Sequence, residues 1–253
     1  MRPTRLSLLL AGMLAFAISG FAPVHAAQIK NVVIVHGSLA DGSGWRKVYD
    51  RLTARGYKVT IVQPPMTSLQ DDVQATKRIL DLQDGPSILV GHSYGGMVIT
   101  EAGNASNVAG LVYVAAFQPD AGETLLGVAA KIPAATQGIT ATADEFLYLD
   151  PKVYAADFAA DVPPADAAFM AHSQVFPAKA SFDTKIKEAA WRTKQSWALI
   201  ATDDRAIHPD LMRMMAKRAD SKSIEVKASH AVFMSQPNSV ADLIETASKA
   251  LSK

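Results

Sequence analysis

The stretch "SILVGHSYGGMVI", residues 87–99, runs from strand-forming residues into a glycine, then His92, Ser93 and Tyr94, two more glycines and a helix-like run. Gly91-His92-Ser93-Tyr94-Gly95 fits G-x-S-x-G, and a place between strand and helix is the context that gives this pattern its meaning. A serine on so tight a turn needs neighbours without bulk, which Gly91, Gly95 and Gly96 provide. The turn lifts the hydroxyl clear of the sheet's C-terminal edge at a helix N-terminus, where backbone donors meet a developing anion. If Ser93 is a nucleophile, the rest of the chain must supply a base, an acid and an oxyanion site.

On both sides of this stretch, strand-like and helix-like runs alternate. "NVVIVHG" (31–37) is a continuous apolar run ending in glycine, as a strand buried on both faces should be. Residues 44–56 place Trp45, Val48 and Leu52 on one helical face, "YKVTIVQPP" (57–65) is a strand stopped by prolines, and 69–83 is an amphipathic helix with acids in its first turn. The helix at 94–106 is followed by a buried strand, "VAGLVYVAAF" (108–117). The rhythm then breaks. Residues 118–193 are rich in alanine and proline, with short helical patterns and no strand of sheet quality, yet hold too many large apolar residues for a disordered linker; they read as an inserted helical cap. Strands at 195–204 and 223–230 and helices at 209–219 and 239–251 complete the pattern. The expectation is one α/β domain, a mostly parallel six-stranded sheet with right-handed crossovers, helices on both faces and a cap.

The first residues stand apart. Arg2 and Arg5 precede an apolar run from Leu6 to Phe21, which closes on Val24-His25-Ala26. That is the layout of a secretory signal peptide over residues 1–26, short for a membrane span, with the mature domain over 27–253. Removing the two arginines takes the formal net charge from +1 to about −1. The remaining roughly 225 residues suffice for one substantial core. A near-neutral chain without a basic cluster is a poor partner for nucleic acid. It contains no cysteine, which excludes disulfides, a thiol nucleophile and thiolate zinc sites.

The base is sought among six histidines. His25 leaves with the leader; His36 and His92 read as turn and packing residues, His172 lies in the cap, and His208 starts a helix. His230, in "KASHAVFMSQP", emerges at the C-terminal end of the last strand, on the same edge as Ser93. Asp203 and Asp204 end the preceding strand on that edge, giving the chain order Ser, Asp, His. Asp204 is chosen as the acid, with Asp203 second and Asp120 third. The oxyanion donors expected are the backbone N–H of Tyr94 and that of Ser38, in the loop after the first strand, with Gly37 letting the loop bend close.

With these residues in hand, the chain resembles an α/β-hydrolase over nearly all of its mature length. "HGSLADGSGW", "GHSYGG", "ATDDRAIHPDL" and "SHAVFMSQP" are similar to the motifs of a compact branch that includes plant methylesterases, hydroxynitrile lyases and small bacterial esterase-like proteins. In that branch the acid directly precedes "R-A-I" or its equivalent, which supports Asp204, and the sheet lacks the two N-terminal strands of larger relatives. Hydroxynitrile lyases have a threonine where Gly37 stands and a lysine where Ala231 stands, so the resemblance implies an esterase rather than a lyase. A serine at 93 also departs from the aspartate of haloalkane dehalogenases and epoxide hydrolases.

The expected reaction is hydrolysis of a small-molecule carboxylic ester by Ser93, His230 and Asp204, with no metal and no organic cofactor. Candidate pocket residues are Leu39, Phe117, Phe146, Phe169, Trp191 and Val232. Alternatives on the same residues are a lactonase, a cofactor-free haloperoxidase, or a ligand-binding protein that keeps the fold. No stable membrane insertion is expected after leader removal, and no pattern sets an oligomeric state. Protein recovered from its native host outside the cytoplasm should begin at or near Ala27; N-terminal sequencing that finds Met1 on cytosolic protein would overturn export.

Overall fold

A computed structural model describes residues 28–252. The leader expected over residues 1–26 lies outside the described residues. The strands are β1 (Asn31–Val35), β2 (Lys58–Val62), β3 (Ser87–Ser93), β4 (Val108–Ala116), β5 (Ile139–Ala141), β6 (Leu147–Leu149), β7 (Ser196–Ala201) and β8 (Lys222–Val226). The helices are α1 (Arg46–Ala54), α2 (Leu69–Asp81), α3 (Gly95–Ala102), α4 (Leu125–Ala129), α5 (Pro151–Phe158), α6 (Pro164–Ser173), α7 (Lys179–Phe182), α8 (Pro209–Arg218), α9 (Val232–Ser235) and α10 (Pro237–Leu251).

Six strands form one parallel sheet in the order β2-β1-β3-β4-β7-β8. The strands β1, β3, β4 and β7 are buried almost throughout, which is why they read as unbroken apolar runs. The edge strands β2 and β8 are partly or largely exposed, and "KSIEV" in β8 carries the lysine and glutamate that an open edge tolerates. The chain runs outward from β1 to β2, then returns past β1 to β3. Right-handed crossovers therefore put α1 on one face and α2, α3 and α8 on the other. The closing helix α10 packs against α1, covering the first face. The reversal of winding between β1 and β3 opens a crevice at their C-terminal ends, and there sit both Ser93 and the loop after β1.

Helix starts follow local chemistry. Ser68 accepts a hydrogen bond from the Asp71 N–H to cap α2, and Thr124 and Asp150 cap α4 and α5 in the same way. The segment between β4 and β7 carries short helices as expected, but also an antiparallel hairpin, β5 with β6. Three residues per strand are too few to show a period in sequence, so this hairpin was not legible. Among the described residues no helix is long and apolar enough to cross a membrane.

The packing around α3 leaves no room for a side chain at its start. A Cβ on Gly96 would stand 1.9 Å from the carbonyl oxygen of Phe117, just beyond β4. Backbone cannot move aside as a side-chain tip would. Gly96→Ala should therefore destabilise the fold by about 1–3 kcal/mol, which for a chain of this size lowers the melting midpoint by about 2–4 °C per kcal/mol. An unchanged midpoint in calorimetry would contradict this packing.

Candidate active site

Ser93 ends β3 with φ 52, in the left-handed region that a non-glycine residue rarely occupies. Its neighbours explain the glycines. A Cβ on Gly91 would lie 2.6 Å from the carbonyl oxygen of Gly95, and one on Gly95 would lie 2.5 Å from that of Val35. With Gly96 against Phe117, the turn is pressed between the ends of β1 and β4 and the first turn of α3. Gly37 belongs to the same crowding: its Cβ would stand 2.6 Å from the Cβ of Ser93. The loop after β1 is thus brought against the serine itself.

His230 and Asp204 are in contact. His230 Nδ1 donates to Asp204 Oδ2 at 2.6 Å, and both side chains are buried. The carboxylate's other oxygen accepts the N–H groups of Ala206 at 2.8 Å and Ile207 at 2.9 Å. Three donors therefore orient one carboxylate. Because a carboxylate only accepts, the proton between the pair sits on Nδ1, so that in the neutral ring Nε2 is the nitrogen with the lone pair. Nε2 is buried without a protein partner among the described residues. The alternative acids are placed elsewhere: Asp203 is exposed, and Asp120 is engaged by Arg192, whose Nε donates at 2.7 Å.

His92, read from the sequence as a turn and packing residue, has a further part. Its Nε2 donates to the carbonyl oxygen of His230 at 3.0 Å, and the two rings lie 4.6 Å apart. Burial, and next the neighbouring His230, push the pKa of His92 well below that of an ordinary histidine, so the ring is neutral and braces the backbone of His230. His36 is likewise lowered by burial and donates through Nδ1 to the Gly37 carbonyl at 2.8 Å.

Separate hydrogen bonds pin the surroundings of the two expected oxyanion residues. Leu39, next to Ser38, also has a left-handed backbone, φ 62. Its N–H donates to Val175 O at 3.1 Å, and its carbonyl accepts the Tyr154 hydroxyl at 2.7 Å. Tyr94 is fully buried and donates its hydroxyl to Asp72 Oδ2 at 2.7 Å, while Asp72 Oδ1 accepts the Met66 N–H at 2.7 Å. Burial raises the Asp72 pKa, opposed by these two hydrogen bonds. The acids expected at the start of α2 for its dipole thus include one that serves the interior.

Ser38, Ser93 and His230 border one cavity of about 520 Å³ between sheet and cap. Leu39 and Phe117 lie on its wall, with Leu126, Phe158, Phe182 and Ile207. Four expected wall residues lie off it. Phe146 is half-buried and its backbone bridges to Ala178. Phe169 stands on the outer side of α6, 63% exposed. Trp191 is buried near the other end of the sheet, its indole donating to Pro119 O at 2.6 Å, beside a separate polar groove. Val232 packs in the interior at the start of α9. Apolar character marks a residue for burial, but which interior it enters depends on how the cap folds back. The wall residues from α4 and the loop after it carried no signal beyond alanine-rich composition.

Similarity to known proteins follows this geometry. Methylesterase 7 of Arabidopsis thaliana is 38% identical over 108 residues, a match spanning 36% of this chain and 41% of that protein. A carbendazim hydrolyzing esterase of Nocardioides sp. (strain SG-4G) is 33% identical over 119 residues, 40% of this chain and 48% of that protein. The chain thus matches less than half the length of either relative. Among solved structures, a pyrethroid hydrolase from Sphingobium faniae JZ-2 superposes with TM-score 0.75 at 23% identity, covering 88% of this chain and 98% of the other. Polyneuridine aldehyde esterase superposes with TM-score 0.72 at 18% identity, over 86% of this chain and 98% of the other. At these identities the likeness is one of fold. The sequence profile of the alpha/beta hydrolase family matches residues 32–243, from the first strand into the closing helix, and the chain belongs to that family.

Proposed function

We propose that this chain is a serine hydrolase that cleaves uncharged carboxylic esters of small molecules through an acyl-enzyme. The observation that carries the reading is the buried His230–Asp204 pair, whose histidine borders the same cavity as Ser93, a serine held in a strained backbone. Asp204 keeps the proton on Nδ1, so Nε2 takes the proton of Ser93 as the hydroxyl attacks the ester carbonyl. The N–H groups of Ser38 and Tyr94 receive the oxyanion. His230 then protonates the departing alcohol, and water repeats the cycle on the acyl-enzyme. The names of the relatives, a methylesterase, a carbendazim hydrolyzing esterase and a pyrethroid hydrolase, support the class of reaction.

The cavity supports the choice of an uncharged substrate. Its wall is mostly aliphatic and aromatic, and the lysine on it, Lys179, is paired with Glu145 at 2.7 Å. A free carboxylate or ammonium brought into such a wall loses hydration without gaining a partner. A ligand-binding protein that keeps the fold is the competing reading. Covalent labelling separates the two: a fluorophosphonate should modify Ser93 in folded protein, and failure to do so would favour the binding protein.

Ser93→Ala and His230→Ala should each lower ester turnover by about four orders of magnitude or more while leaving the fold intact, because the members act as a unit. Asp204→Asn should be severe and Asp203→Asn mild; the reverse order in steady-state assays would sink the choice of acid.

Leu126 and Ile139 border the cavity while remaining 45% and 42% exposed, so they flank its mouth. Their contacts, remote from the reacting carbonyl, chiefly set KM. Truncating either to alanine should shift preference among p-nitrophenyl esters of different chain length by about tenfold. Phe169→Ala, on the outer face of α6, should leave the profile unaltered. A profile that responds to Phe169 and not to the other two would overturn the wall assigned here.

A further inference from the structure

The loop after β1 does not hold its own shape. Leu39 is a bulky residue in the left-handed region, with φ 62, where an unsupported chain would not stay. Both of its backbone polar groups are bound by the cap: the N–H by Val175 O at 3.1 Å and the carbonyl by the Tyr154 hydroxyl at 2.7 Å. Val175 is main chain on both sides of this contact, since its own N–H donates to Ala40 O at 3.4 Å. Tyr154 is the side chain in the arrangement. It is fully buried, and its ring stacks on Phe158 at 4.9 Å. Phe158 in turn meets His230 edge-on at 4.6 Å, and its carbonyl accepts the Ala231 N–H at 2.9 Å. One cap helix, α5, therefore grips the loop carrying Ser38 and the loop carrying His230.

We propose that Tyr154 is a positioning residue for catalysis: through its hydrogen bond to Leu39 it holds the neighbouring Ser38 N–H aimed at the oxyanion. Ser38 lies between Gly37, pressed against Ser93, and Leu39, pinned to the cap, so its peptide plane is set from both sides. The cap is then part of the machinery that stabilises the transition state as well as a cover for substrate. This inference rests on the serine-hydrolase reading and on Ser38 as an oxyanion donor.

Removing the hydroxyl while keeping the ring leaves the cavity wall in place and frees Leu39 to relax. Tyr154→Phe should therefore lower kcat for p-nitrophenyl acetate by about 10- to 100-fold, less than outright loss of an oxyanion donor, with KM changed by no more than about threefold. An aryl trifluoromethyl ketone, which adds to the serine to place an oxyanion in the same hole, should lose affinity by the same factor. A role confined to stability would lower the melting midpoint and leave both quantities alone.

Glycine occupies the left-handed region without support, so in a Leu39→Gly background the effect of Tyr154→Phe on kcat should shrink to a few-fold at most. Leu39→Pro attacks the same conformation from the loop side, because proline cannot take a positive φ, and it provides the test should Tyr154→Phe not fold. It should reproduce the loss of kcat and of ketone affinity. Folded Tyr154→Phe or Leu39→Pro protein with unaltered kcat, a change confined to KM, or equal losses in the wild-type and Leu39→Gly backgrounds would each overturn the inference. The outcome is separable from the parent reading. Wild-type protein that takes up no fluorophosphonate at Ser93 overturns both, whereas labelled wild type with an active Tyr154→Phe variant overturns this inference alone.

Discussion

At the C-terminal edge of β3, stretches of main chain meet with no side chain between them. Gly91 approaches Gly95, Gly95 approaches the end of β1, and Gly96 approaches Phe117 beyond β4, each at a distance that a Cβ would violate. This close approach lets a strand turn into a helix within two residues and forces Ser93 into its left-handed backbone. Strain of this kind persists only when the surroundings over-determine it, and the parallel strands on either side of β3 do so. The crevice, the loop carrying Ser38 and the direction of α3 all follow from that crossing.

A second layer of order is polar and buried. The Asp204 carboxylate is oriented by two backbone N–H groups as well as by His230. His92 braces the backbone of His230, Asp72 joins Tyr94 to Met66, and Tyr154 joins α5 to Leu39. Met66 O accepts the Ala178 N–H, so the Asp72 cluster also reaches the cap. An interior polar group left without a partner is costly, so each bond removes the freedom of the groups it joins. Groups fixed in this way need little reorganisation when charge develops beside them, which is the property the proposed acyl transfer would require.

Much of this was legible in the chain. The buried strands announce themselves as apolar runs, and the glycine pattern identifies the turn because only a backbone crossing requires it. Asp204 is chosen ahead of its neighbour Asp203 in the sequence, and the resemblance of "DDRAI" to a family motif supports that choice. Their surroundings differ sharply, one buried against His230 and the other in solvent. The role of His92 was missed because its partner is a backbone carbonyl 138 residues away, and no side-chain pattern records such a bond. Tyr154 was missed for the same reason, its acceptor being the Leu39 carbonyl.

The sequence by itself determined the chain order of the sheet's strands and of the helices between them outside the cap, the turn that presents Ser93 and the edge on which His230 and Asp204 emerge. Those features follow from local periodicity, glycine sterics and the handedness of parallel crossovers. Only the tertiary structure decided the cavity wall. Phe169 and Leu126 are both large apolar cap residues, yet one faces outward on α6 and the other borders the space above Ser93. Long-range packing, and above all the hydrogen bonds that tie Val175, Tyr154 and Ala178 to the loops of the sheet, sets which of the cap's side chains face the serine.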